Sequence, residues 1–147
     1  MVESVKLSIE LTEEQREGYP VSSESLWFDK VKNGYQLKNI PFFIDDLSFD
    51  DVISVSEITE GYYEIISIVE KSLNSTIWLC FSVDTEAEKK VFLDQISKLD
   101  CGYESGVLEG YVTVNVPEKV NIDKVYSMID KAEKIDILVA DYPSIRH

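Results

Sequence analysis

Carboxylates are the reactive groups that this chain carries in excess. Its 147 residues hold 28 Asp and Glu against 14 Lys and Arg, a formal net charge of −14, with one histidine. Acid–base chemistry near neutral pH usually runs through an imidazole. The single candidate, His147, stands last in the sequence, where chains fray, and reads as a loose end rather than a catalyst. No serine, cysteine or lysine has a recognisable activating neighbour, and no phosphate loop or metal-ligand spacing stands out, so an enzyme is not expected. Asp45, Asp46, Asp50 and Asp51 could gather oxygen ligands around a hard cation, but their spacing matches no calcium loop. They read as a solvated acidic loop, and no metal or cofactor is expected.

An acidic surface attracts basic partners. A charge of this size and sign repels phosphate backbones and anionic bilayers, which argues against direct binding of nucleic acid or membrane. The excess leans toward the N-terminus: residues 1–83 hold fifteen acids and six bases, residues 84–147 thirteen and eight. Tyrosines interleave with the acids, and a rigid apolar ring with a polar tip is a common interface anchor. Tyr19 lies by Glu17, Tyr62 and Tyr63 lie between Glu60 and Glu64, and Tyr103 adjoins Glu104. The plainer account of any one of these rings, or of Tyr111, is a strand-face or core position. The candidate partner-binding set is Glu13, Glu14, Glu17, Tyr19, Asp45, Asp46, Asp50, Asp51, Glu60 and Tyr62, presented to a cationic protein. Cys80 and Cys101 have no metal-ligand spacing and read as buried, reduced thiols of a cytoplasmic protein; a disulfide between them is the alternative.

Something must hold these acids in place. Hydrophobic residues make up 44% and aromatics 11%, enough for a real core. The opening MVESVKLSIE is no secretory signal, and no run is long enough to span a bilayer. Val5, Leu7, Ile9 and Leu11 alternate with polar residues, the period of a half-buried strand. A polar stretch from Glu13 to Pro20 reads as a loop. The segment 24–43, ESLWFDKVKNGYQLKNIPFF, is rich in large apolar groups and carries Asn33-Gly34 between two strand-like runs, so it reads as a hairpin with Trp27 in the core. Residues 52–58 and 62–69 supply two more strands around Thr59-Glu60-Gly61. Five strands in about seventy residues predict a small antiparallel barrel or curled sheet over residues 1–74.

From Ser75 the pattern changes. Thr76 to Val83 is a nearly continuous apolar run containing Trp78, as in a strand covered on both faces. Thr85-Glu86-Ala87-Glu88 reads as a capping box that starts a helix whose face is Ala87, Val91, Ile96 and Leu99, with Phe92 beside it. Two strands follow, residues 103–108 and 111–116, then a helix capped by Asn121 with Ile122, Val125, Tyr126, Ile129 and Ala132 at helical spacing. Residues 137–140 make a last strand. Strand, helix, strand, strand, helix, strand is the ferredoxin-like βαββαβ order, so residues 75–147 are expected to form such a lobe closely packed on the first, an α+β protein overall.

Four short motifs, ESLW at 24–27, NIPFF at 39–43, Asp51-Val52-Ile53 and Ser75-Thr76, resemble a bacterial family catalogued as a domain of unknown function. The resemblance covers residues 19–83 in detail and the rest by general pattern. It implies no established enzymatic role; some members resemble immunity proteins that stand beside secreted toxins. Where that family often has Ser-Gly-His-Ser-Thr before the central strand, this chain has Ser72-Leu73-Asn74-Ser75-Thr76, so any role of that imidazole is absent. With the charge, the expectation is a cytoplasmic immunity protein that occludes a cationic, nuclease-type toxin. The alternative is a regulatory or small-ligand-binding module that self-associates through the ferredoxin-like lobe.

Overall fold

An up-and-down run of five strands forms the first part of the computed structural model, which describes residues 2–147. These are β1 (Ser4–Glu10), β2 (Ser23–Val31), β3 (Gly34–Leu37), β4 (Val52–Thr59) and β5 (Tyr62–Glu70), with a single-turn helix α1 (Glu13–Arg16) after the first strand. They close into a barrel in the order β1-β2-β3-β4-β5. Sequential neighbours pair antiparallel, but the closing pair, β1 with β5, is parallel. That corrects the all-antiparallel expectation for a simple reason: in an up-and-down order an odd number of strands leaves the first and last pointing the same way. The barrel belongs to a compact unit, Met1–Ser72, and the second unit, Leu73–His147, begins two residues before the expected boundary.

Strand alternation decides which side chains fill the barrel. Leu7 and Ile9 of β1 and Glu24, Leu26 and Phe28 of β2 are buried, which puts the intervening Ser25 and Trp27 outside. Trp27 is 47% exposed and not in the core as expected, because strand parity outweighs bulk in deciding which side it takes. Its ring instead lies beneath the Lys6 ammonium, 5.8 Å from the centroid. The hairpin is also one residue out. Val31 pairs with Gly34, so the two-residue loop is Lys32-Asn33. Gly34 is needed for close approach, since a Cβ there would collide with the Ile53 carbonyl oxygen of β4.

Two buried carboxylates hold the irregular segment between β3 and β4. Glu24 accepts hydrogen bonds from the backbone N–H of Phe42 (2.7 Å) and Phe43 (3.1 Å). Asp51 accepts from Ser48 (2.9 Å) and Ser72 (2.8 Å). Charge-assisted bonds to backbone amides are the strong class, and a loop with few strand partners needs such acceptors for its buried N–H groups. The spacing of ESLW, NIPFF and Asp51-Val52-Ile53 is therefore a chain-folding device.

The second unit contains β6 (Ser75–Phe81), α2 (Glu86–Lys98), β7 (Gly102–Ser105), β8 (Tyr111–Val116), α3 (Ile122–Lys134) and β9 (Leu138–Ser144). Its strands form one antiparallel sheet in the order β7-β8-β6-β9. Ile77, Leu79 and Phe81 join Val112, Val114 and Val116 to face Phe92, Leu93 and Ile96 of α2 and Val125, Ile129 and Ala132 of α3. Each such side chain withdrawn from water contributes about 1.5–3 kcal/mol before entropy is counted.

Several expectations for this unit need correction. On α2, Phe92, Leu93 and Ile96 are buried and Leu99 packs against them, so the later half of the expected face holds, while Ala87 and Val91 at its start are exposed. Thr85 does not close a capping box; its hydroxyl donates to the Ser82 carbonyl. Asn121 does cap α3, accepting from the Asp123 N–H at 3.0 Å. Val83 lies beyond the end of β6 and is exposed, Trp78 is half-buried against Tyr111, and Cys80 faces solvent. Both thiols are free, and Cys101 is buried. His147 is not frayed: its Nδ1 lies 2.6 Å from the Ser75 hydroxyl and its Nε2 lies 2.8 Å from the Pro117 carbonyl. The Ser75 oxygen also accepts the Arg146 N–H at 2.7 Å, and Nε2–H donates to the Pro117 carbonyl.

Candidate functional site

Barrel closure concentrates carboxylates at one end. Ser8 pairs with Tyr62 and Ile9 with Tyr63 across the parallel seam, so β1 and β5 run side by side into a cleft rimmed by Glu10 and Glu64. The cleft has a volume of about 420 Å³, and Ile9, Leu11, Ile44 and Ile65 supply its apolar lining. One wall is the start of α1. Thr12 accepts from the Gln15 N–H (3.1 Å) while the Gln15 side chain accepts from the Thr12 N–H (3.0 Å), a capping box that turns the expected loop into a helical turn. Glu13 and Glu14 occupy its first turn and are exposed, with Arg16 at its end.

This turn also ties together two segments that lie far apart in the sequence. The Gln15 side-chain amide donates to Asp45 Oδ1 at 3.2 Å, drawing the exposed Asp45 toward the cleft. The β4–β5 turn, which carries the exposed Glu60 and Tyr62, lies at the other end of the barrel and does not line the cleft. Glu57 stands opposite Tyr63. The Glu57 charge, together with some burial and a hydrogen bond between the two, holds the Tyr63 phenol above its ordinary pKa. The arrangement suits the side chain of a partner's Lys or Arg: an apolar floor for the methylene stem, with carboxylates at the rim for the charged head.

The ten candidate residues do not form one patch. Glu13, Glu14 and Asp45 lie on the connections at this end of the barrel, whereas Glu60 and Tyr62 belong to the β4–β5 turn, which the up-and-down order puts at the other end. Glu17 caps the end of α1 and is exposed, while Tyr19 is half-buried with its ring packed edge-on to Phe43 at 5.0 Å. Asp46 is exposed, 3.8 Å from Lys71. Asp50 is half-buried and paired with Lys38 at 2.7 Å. Both Asp46 and Asp50 have positive φ (54° and 71°), a conformation that Asp tolerates better than most residues, so backbone geometry accounts for them. Asp51 is fully buried on backbone amides and cannot face a partner; reading it as part of a solvated loop was wrong.

Glu10 and Glu64 were missed. Each sits in an alternating strand where a polar residue is unremarkable, and only the β1–β5 seam brings them to one cleft. Among the described residues no group of three or more His, Cys, Asp or Glu side chains is arranged to hold a metal, and no helix is long and apolar enough to cross a membrane.

Comparison with known proteins agrees with the four motifs. The profile of the family described as Domain of unknown function (DUF4265) matches residues 24–138, and the chain belongs to that family. A search of curated proteins finds no match. Among solved structures, the fold is similar to that of a hypothetical protein from Neisseria gonorrhoeae, with a TM-score of 0.77 and 19% sequence identity over 97% of this chain and 96% of that one.

Proposed function

We propose that this family member is an acidic cytoplasmic binding protein, most concretely an immunity protein that neutralises a cationic, nuclease-type toxin by covering its active site. The observation that carries the reading is the cleft at the barrel end, where an apolar floor lies beneath a carboxylate rim within a unit that holds fifteen acids and six bases. Carboxylates steer a basic partner into contact and raise the association rate, while apolar burial slows dissociation. A nuclease grips phosphate with Lys and Arg, the groups this cleft would receive. No catalytic role is assigned to the chain. The test is co-expression with the toxin domain encoded beside it, combined with direct binding to that domain; failure of both rescue and binding would refute the reading.

A second reading has its own support. The βαββαβ order and the β7-β8-β6-β9 sheet fit a ferredoxin-like lobe, and between its helices runs an apolar cleft of about 530 Å³ in which Val91 and Ile135 remain exposed. A regulatory or small-ligand module that pairs through this lobe would use such a face. Sizing the purified protein separates the two: a stable dimer with no toxin partner favours the second reading.

A further inference from the structure

The acidic chain has a markedly basic cleft. It lies in the second unit, where the end of α2 meets the loop between β8 and α3, and has a volume of about 630 Å³. Lys98, Lys119 and Lys124 line it together with Asp100. All three lysines are exposed, and among the described residues none makes an ion pair within 4 Å, although acids outnumber bases two to one. Mutual repulsion disfavours such convergence, and Lys124 is further placed in the first turn of α3, where a cation opposes the helix dipole. Lys98 stands in the last turn of α2, where a cation complements the helix dipole, so the charges that no dipole accounts for are those of Lys119 and Lys124.

The frame that carries them is firmly tied. The Val120 N–H donates to the Pro117 carbonyl at 3.0 Å, and His147 holds the same carbonyl at 2.8 Å. On the facing side the Leu99 N–H reaches the Gln95 and Ile96 carbonyls, and Asp100 turns the chain with φ of 65°. Half-buried Leu99 and Val120 contribute apolar surface to the cleft.

We propose that this cleft binds a phosphate group, free or carried on a small organic molecule. Three ammonium groups less the Asp100 carboxylate leave a charge of about two, which matches a phosphate dianion, and lysine serves phosphate as a point charge. The cleft is of small-molecule size, larger than bare phosphate needs. Nucleic acid is disfavoured because the net charge of −14 repels a polyanion. The site is independent of the barrel-end cleft and of the toxin reading.

The test is an NMR titration of the full chain with inorganic phosphate, with ribose 5-phosphate and with ribose. Saturable shifts confined to residues 98–100 and 117–124, with Kd at or below about 1 mM for at least one phosphate, are expected. Tighter binding of ribose 5-phosphate assigns an organic phosphate; equal affinity assigns free phosphate. Lys98→Ala/Lys119→Ala/Lys124→Ala should lose at least about tenfold in affinity. Lys30→Ala/Lys32→Ala/Lys71→Ala, which removes the same charge from the first unit, should not. Shifts spread over all lysines, an equal loss in the control variant, or no saturable response would overturn the proposal.

Discussion

Replacing Asp51 with Asn should destabilise the barrel even though it removes one charge from a strongly acidic chain. Asp51 is 0% exposed and spends both carboxylate oxygens on backbone donors, Oδ2 on Ser48 N–H and Oδ1 on Ser72 N–H. An asparagine keeps one acceptor and turns an amide NH₂ toward the other N–H. One charge-assisted bond is lost and a buried donor is left facing a donor, which together cost about 2–4 kcal/mol. The control is Asp45→Asn, on an exposed side chain that accepts a hydrogen bond from the Gln15 amide; it should change stability by less than about 0.5 kcal/mol. Urea unfolding of both variants in a Trp78→Phe background leaves Trp27 as the single tryptophan, a reporter within the barrel unit. Equal midpoints for the two variants would refute the assignment of Asp51 to a structural role. Neutralising Asp45, Asp46, Asp50 and Asp51 together is thus a poor probe of binding, because one of the four holds the fold.

Trp27→Ala should cost no more than about 1 kcal/mol, whereas Phe28→Ala, one residue along and 0% exposed, should cost about 3–5 kcal/mol; thermal unfolding of the pair checks the strand parity. In native protein at pH 8 a thiol reagent should modify Cys80 quickly and Cys101 only on unfolding, because Cys101 is buried and its pKa is pushed up to about 11, first by desolvation and then by the Asp100 charge. The sign follows: a thiol whose pKa is raised on folding contributes stability that is complete below its unfolded pKa and is lost as pH rises from about 9 toward 11, so Cys101→Ala should flatten the alkaline fall in stability. His147→Ala should lower stability by about 1–2 kcal/mol, read by thermal unfolding, through loss of its bonds to Ser75 and Pro117.

Much of the fold could be read because period and punctuation agreed. Residues 111–116 and the Asn121-capped helix were placed correctly, each having a clean period and a flanking breaker or cap. The errors share a cause. Residue type puts Trp27 and Cys80 inside, whereas exposure on a strand follows parity, and for Val91 a helical face set slightly off the true one has the same effect. Acids were read as surface by default, so Glu24 and Asp51, which hold buried amides, could not be told from solvated neighbours. Glu10 and Glu64 were illegible because they are 54 positions apart and meet only through barrel closure.

The barrel-end cleft is tested most directly by the affinity of Glu10→Gln/Glu64→Gln for the cationic toxin domain that the proposed function calls for. Among the described residues neither side chain makes an ion pair within 4 Å, so the fold should survive unchanged. The account predicts a loss of at least about tenfold, carried partly by a slower association rate whose salt dependence is weakened. Wild-type affinity and wild-type salt dependence in the double variant would contradict it.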